Sequence, residues 1–243
     1  MTLLAVLAIG VACGRESDRG TVTAESLPSV ASAEPAPEAA PDDPARPSTV
    51  IETGTPRVLF VGTSLTAGLG LSKEEAYPAR VAELLESRGM PIEAINAGVS
   101  GDTSAGGLAR LDWLLRLPPD VVLIELGAND GLRGLPVSMT EVNLTRAATR
   151  AREVGARVIV AGMLMPPNYG EDYTRAFAAV FPRVAERTDS ILVPFLLDGV
   201  AAEADLNQAD GIHPNAEGHR RIAATVLPFL LEALGTRSAV GFE

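Results

Sequence analysis

The chain has 243 residues and a formal net charge of -11, and it holds only 2 His and 1 Cys. One cysteine forbids an internal disulfide, and with two histidines it cannot build a Cys/His zinc site of the finger type. The acidic balance excludes a general nucleic-acid binder, which needs a basic stripe to displace counterions from phosphates. Any histidine chemistry must use His213 or His219.

In chain order, residues 1–12 come first, uncharged and mostly apolar. A membrane-spanning helix needs about 20 apolar residues, so this run is too short to span. It fits the apolar region of a secretory signal that ends in Gly10-Val11-Ala12, just before Cys13. A lone cysteine in that place resembles a bacterial lipoprotein signal, in which the cysteine is lipidated and becomes the mature N-terminus. Gly10 stands where leucine is usual, and no Lys or Arg precedes the apolar run. The competing reading is a buried apolar segment with an incidental cysteine. Residues 14–55 carry six prolines, no aromatic residue, and eight acids against three arginines. Such a stretch cannot bury enough apolar surface to offset its ordering entropy, so it reads as an extended tether between anchor and domain. Residues 56–235 are long enough for one domain with a proper core, and residues 236–243 form a tail.

From Pro56 onward strands and helices alternate. Apolar or β-branched runs predict strands at 58–61, 92–96, 121–126, 158–161 and 191–193. Helical spacing puts Leu144, Ala148, Ala151 and Val154 on one face, and Ile222, Val226 and Leu230 on another. Val121-Val122-Leu123-Ile124 is apolar without alternation, as expected of a strand covered by helices on both faces. The repeated βα order implies a five-stranded parallel sheet in a flavodoxin-like three-layer α/β/α sandwich. Ligands in such sheets sit beyond the carboxyl ends of the strands, so the residues just after each strand hold the chemistry.

Those residues are Gly62-Thr63-Ser64-Leu65-Thr66-Ala67-Gly68, Asn96-Ala97-Gly98-Val99-Ser100-Gly101, Gly127-Ala128-Asn129-Asp130 and, late in the chain, Asp210-Gly211-Ile212-His213-Pro214. Taken singly, each could be a turn, a helix cap or a phosphate cradle. Together they supply what ester hydrolysis by a serine requires: a hydroxyl, a base, an orienting carboxylate and oxyanion donors. Ser64 is the hydroxyl. Pro214 drives His213 out of helical geometry into a loop, Asn215 suits the N-cap of the closing helix, and Asp210 is near enough to hold the imidazole. The backbone N–H groups of Ser64 and Gly98 and the amide of Asn129 are the expected oxyanion donors.

These blocks resemble those of the SGNH, or GDSL, hydrolase superfamily, with Ser64, Gly98, Asn129 and His213 in the four family positions and Asp210 completing a triad. Gly131-Leu132-Arg133-Gly134-Leu135, Met165-Pro166-Pro167-Asn168-Tyr169-Gly170 and Leu206-Asn207-Gln208-Ala209-Asp210 are similar to the thioesterase/lysophospholipase/arylesterase branch. The resemblance implies an esterase that forms an acyl-enzyme and uses no cofactor and no metal. It implies a groove for the acyl chain built by the loops 131–136 and 163–169. Thr63, Leu65, Asp130, Leu132, Leu135, Met165, Pro166, Tyr169 and Ile212 are the expected substrate-binding residues. Thr63 stands where the family usually has aspartate. Thr66 occupies the last glycine position of a Gly-x-Ser-x-Gly elbow, which argues against an α/β-hydrolase.

Four other residues have plainer expected roles. His219 faces solvent or caps a neighbour, Trp113 belongs to the core, and Asp102 and Asp130 are caps or acceptors rather than the triad acid. The expected partners are a small acyl-ester substrate and a membrane reached through lipidated Cys13, with no nucleic acid and a monomeric chain, in the bacterial cell envelope. The alternatives are an O-acetyl esterase of envelope glycans, a non-catalytic module whose loop 62–68 cradles phosphate or flavin, and a protein that kept the fold but lost activity through Thr63.

Overall fold

A computed structural model describes residues 54–235. The expected lipidation site Cys13, the expected tether up to residue 53 and the expected C-terminal tail fall outside them. Five parallel strands, β1 (Arg57–Gly62), β2 (Glu93–Gly98), β3 (Val121–Glu125), β4 (Arg157–Ala161) and β5 (Ile191–Val193), form one sheet in the order β2-β1-β3-β4-β5. The expected doubly wound α/β sandwich is therefore the observed one. The boundaries differ from the sequence-based ranges by no more than two residues at any end, the start of β3 and the end of β4 coincide, and β5 agrees throughout.

After β2 the chain reverses its direction across the sheet, and right-handed crossovers then place helices on opposite faces. Helices α2 (Tyr77–Glu86) and α8 (Ala216–Ala233) pack on each other over one face. Helices α3 (Ser104–Leu114), α5 (Val137–Glu153) and α7 (Val180–Arg187) cover the other. Short helices α1 (Ser64–Ala67), α4 (Ala128–Leu132) and α6 (Glu171–Ala178) complete the set. Every residue of β3 is buried, as is all of β1 after Arg57. Leu144, Ala148 and Ala151 of α5 and Ile222, Val226 and Leu230 of α8 face the core as their spacing predicts, while Val154, at the end of α5, is exposed.

Trp113 does not belong to the core: it is 65% exposed. Helix α3 turns Ser104, Gly107 and Leu111 inward, and two residues beyond Leu111 the helix has rotated by about 200°. Gly107 lets α3 lie close on the sheet, because a β-carbon there would come within 2.3 Å of Leu126 Cδ1.

The reversal makes β1 and β3 neighbours at the switch point. Gly62, the last residue of β1, is paired with Gly98 on one side and Glu125 on the other. Three of the four blocks singled out in the sequence thus begin at one rim of the sheet.

Candidate active site

Ser64 opens α1 directly after β1. Its Oγ lies 3.0 Å from His213 Nε2, across 149 positions of sequence. His213 Nδ1 lies 2.7 Å from Asp210 Oδ2, while Asp210 Oδ1 accepts the backbone N–H groups of Ile212 and His213, each at 3.0 Å. The backbone N–H of His213, then that of Ile212, then the imidazole hold the Asp210 carboxyl down to about 2. At neutral pH it is an anion facing the imidazole.

The loop that carries His213 is fixed on both flanks. Asn207 and Pro214 form an antiparallel bridge, and Gln208 N–H donates to His213 O at 2.7 Å. Gln208 Nε2 donates to Leu69 O at 2.7 Å and to Pro214 O at 2.9 Å, joining this loop to the end of α1. The Asn215 side chain accepts from Glu217 N–H and Gly218 N–H and caps α8, as its position before that helix predicts. Gln208 was visible in the sequence only as part of a resembling block, because its partner Leu69 lies 139 residues away.

The oxyanion donors need one correction. Gly98 N–H donates to Asn96 Oδ1 at 3.0 Å, inside the strand end. Its small size serves packing, since a β-carbon would stand 2.2 Å from Ala67 N. Gly101, three residues on, is exposed at φ 79° in a turn closed by Asp102 N–H on Val99 O at 3.1 Å. Among the described residues its N–H has no acceptor. Asn129 Nδ2 donates one hydrogen to Asp102 O at 2.9 Å, which ties its amide to this turn and leaves the second hydrogen outside that bond. Spacing could not separate Gly98 from Gly101, because that depends on which N–H the strand end already uses.

Three expected substrate contacts point inward instead. Leu65 is a core residue. Asp130 is buried and accepts Ser104 N–H at 2.8 Å, so it caps α3. Thr63 is buried, with its hydroxyl on Glu125 at 3.0 Å. Leu132, Leu135, Pro166 and Ile212 are exposed, and Met165 and Tyr169 are half-buried. The loops after β3 and β4 are tied together by Tyr169 Oη on Leu132 O at 2.9 Å and by Tyr173 Oη on Leu135 O at 3.0 Å. Tyr173 was not singled out in the sequence.

His219 does not face solvent. It is buried, stacks on Tyr77, and its Nδ1 accepts Tyr77 N–H at 3.1 Å, so it caps the start of α2. Asp102 pairs with Arg110 at 2.9 Å, an acceptor role as expected. Glu125 was overlooked because it ends an apolar strand. It is fully buried and accepts from Thr63 N–H at 2.8 Å and Thr66 Oγ1 at 2.9 Å. A phosphate cradle needs free backbone N–H groups. Here those of Thr63 and Thr66 already serve a carboxylate, so these two are not free for a phosphate.

A parallel α/β/α sandwich with a hydroxyl after its first strand and an imidazole and a carboxylate on the loop before its last helix, in one hydrogen-bonded line, has the architecture of an SGNH hydrolase. Residues 60–221 match the GDSL-like lipase/acylhydrolase family. The chain is 44% identical over 174 residues to esterase TesA of Pseudomonas aeruginosa, covering 71% of this chain and 87% of that protein. It is 38% identical over 179 residues to an arylesterase of Vibrio mimicus, covering 73% and 90% of the two chains. The crystal structure of TesA superposes with a TM-score of 0.71 at 43% identity, covering 73% of this chain and 99% of that one. The chain belongs to the GDSL-like lipase/acylhydrolase family. It is a carboxylic ester hydrolase.

Proposed function

We propose that this esterase works through a Ser64-His213-Asp210 triad and an acyl-enzyme intermediate. The unbroken line from Asp210 Oδ2 through His213 to Ser64 Oγ, with steps of 2.7 and 3.0 Å, carries the reading. Ser64 Oγ attacks the acyl carbonyl as its proton passes to His213 Nε2. Asp210, anionic down to about pH 2, stabilises the imidazolium and orients the ring without taking the proton itself. The tetrahedral oxyanion is held by Ser64 N–H, Asn129 Nδ2 and, in place of Gly98, the N–H of Gly101. His213 then protonates the leaving alcohol. A water molecule, deprotonated by the same imidazole, releases the acid and restores Ser64.

The acyl chain lies against the exposed Leu132, Leu135, Pro166 and Ile212 and the half-buried Met165 and Tyr169. A short acyl ester or a lysophospholipid suits that surface. An O-acetylated glycan is the second substrate class, and the chain-length profile separates them. The apolar residues 1–12 before Cys13 support secretion and lipid anchoring at the bacterial envelope. No helix among the described residues is long and apolar enough to cross a membrane.

The test is hydrolysis of p-nitrophenyl esters from acetate to laurate by the wild type and Ser64→Ala. The expected result is a loss of at least about 10³-fold in kcat on every ester the wild type cleaves. Equal rates on all chain lengths would remove Ser64 as nucleophile.

A further inference from the structure

One peptide group, joining Gly62 to Thr63 and lying one residue upstream of Ser64, is held at both ends by buried or half-buried charge. Its carbonyl oxygen accepts from Arg110 Nη2 at 3.1 Å and from Val99 N–H at 2.9 Å. Its N–H donates to Glu125 Oε2 at 2.8 Å. A peptide dipole is negative at oxygen and positive at hydrogen, so a cation at one end and an anion at the other both align it. We propose that Arg110 and Glu125 are positioning residues that clamp the Gly62–Thr63 peptide and so fix Ser64 Oγ on its line to His213. The proposal rests on the reading of Ser64 as the nucleophile.

Each arm of the clamp reaches further into the site. Arg110, from α3, also donates to Ala97 O at 2.7 Å and to Asp102 Oδ2 at 2.9 Å. Asp102 O in turn receives Asn129 Nδ2. One guanidinium therefore sets the ends of β1 and β2 and the turn on which Asn129 hangs. A planar fork of five donors can do this, and a single ammonium cannot. Glu125, from β3, takes Thr63 Oγ1 at 3.0 Å, Thr66 Oγ1 at 2.9 Å and Thr66 N–H at 3.3 Å besides Thr63 N–H. It thus grips the residues on both sides of Ser64. The fit leaves no slack: a β-carbon at Gly62 would stand 2.0 Å from Thr66 Oγ1 and 2.6 Å from Glu125 Oε2.

A purely structural account does not call for a carboxylate there. Burying one is costly, and an apolar or amide side chain would fill the strand end without that cost. Burial pushes the Glu125 carboxyl up to about 6 while the donors from Thr63 and Thr66 draw it down, so at neutral pH it is the anion the clamp requires. Thr63 now has a reason. It gives Glu125 a hydroxyl donor, where the aspartate usual in the family would bring a second carboxylate to the same spot.

The test compares wild type, Arg110→Met, Glu125→Gln and the double variant. It uses p-nitrophenyl esters and, as a substrate-independent readout, the rate at which a fluorophosphonate labels Ser64. Each single change is expected to lower kcat and the labelling rate by about 10- to 10²-fold, with KM within about threefold. The double variant should fall no more than about threefold below the worse single, because both side chains hold one peptide. Arg57→Met is the control: Arg57 also bonds a backbone carbonyl and a glutamate, Leu117 O and Glu93, at the other end of β1. It should lower the melting temperature and leave kcat unchanged. If Glu125→Gln fails to fold, Thr63→Val and Thr66→Val each remove one donor and should lower kcat severalfold, with Thr63→Ser restoring it. Wild-type kcat in the folded variants, or losses that multiply in the double, would overturn the clamp alone. A wild type that is itself neither active nor labelled would remove the nucleophile reading, and the clamp with it.

Discussion

His213 and His219 stand six residues apart and meet opposite surroundings. His213 sits at the rim between Asp210 and Ser64. His219 is buried against Tyr77, and burial lowers it from 6.5 to about 4, with the charge of Glu75 acting the other way. Below pH 6.5 the unfolded chain therefore binds a proton that the folded one refuses, so stability falls as the pH drops from 6.5 to 4. The shift corresponds to about 3 kcal/mol once the pH is below 4. Glu125 runs the opposite way: burial raises it from 4.5 to about 6, so its contribution weakens as the pH rises through that interval. Replacing His219 by Gln, whose carbonyl can still accept Tyr77 N–H, isolates the histidine. Urea midpoints at pH 7 and pH 4.5 should show the variant gaining on the wild type at the lower pH, and an unchanged difference would refute the burial argument. The sequence marked His213 because Pro214 adjoins it. It could not mark the seat of His219, whose partner lies 142 residues away. The same holds for the glycine proposed as an oxyanion donor: Gly98 and Gly101 look alike until Asn96 Oδ1 is seen to take the N–H of the first.

Helix α8 carries the imidazole loop on its N-terminus, so its cap matters to the site as well as to stability. Asn215 Oδ1 accepts from Glu217 N–H at 3.0 Å and Gly218 N–H at 3.1 Å, and its Nδ2 donates back to Asp205 O at 2.9 Å. Asn215→Ala should cost about 1–2 kcal/mol in urea denaturation. Because Asp205 O and the helix start then lose their tie, kcat should fall more than KM rises. A stability loss with unchanged kcat would show that the Asn207–Pro214 bridge and Gln208 hold the loop without the cap. Elements with strong apolar runs were legible: the strands around Phe60 and Leu123, and the faces built on Leu144 and Ile222, lie in the core. Trp113 failed because size and apolarity suggest burial, whereas the phase of α3 is set by Ser104, Gly107 and Leu111. Glu125 was hidden for a related reason. Its strand is apolar from Val121 to Ile124, and only the pairing of its end with Gly62 reveals what the acid is for.

At the scale of the molecule, the two ends of β1 have different tasks. Arg57 begins the strand at the end remote from the site, its N–H on Asp120 Oδ2 at 2.7 Å and its guanidinium on Glu93 and Leu117 O. Ser64 follows the other end, and six strand residues separate the two by about 20 Å. Strand β1 therefore starts at the end of the sheet away from Ser64 and His213, and residues 1–53 precede it in the sequence. Removing them should leave kcat and KM for a soluble p-nitrophenyl ester within about twofold of the full chain. Membrane retention is a separate property under this arrangement. If Cys13 is the proposed anchor, Cys13→Ala should move the protein from the membrane to the soluble fraction while its specific activity on soluble esters stays the same. Retention of the Cys13→Ala protein on membranes would refute the anchor. Altered kcat on soluble esters after removal of 1–53 would refute the separation of the two ends. If both expectations hold, the anchor acts on which esters the enzyme meets, through local concentration at a lipid surface, and the chemistry at Ser64 stays as it is in the domain alone.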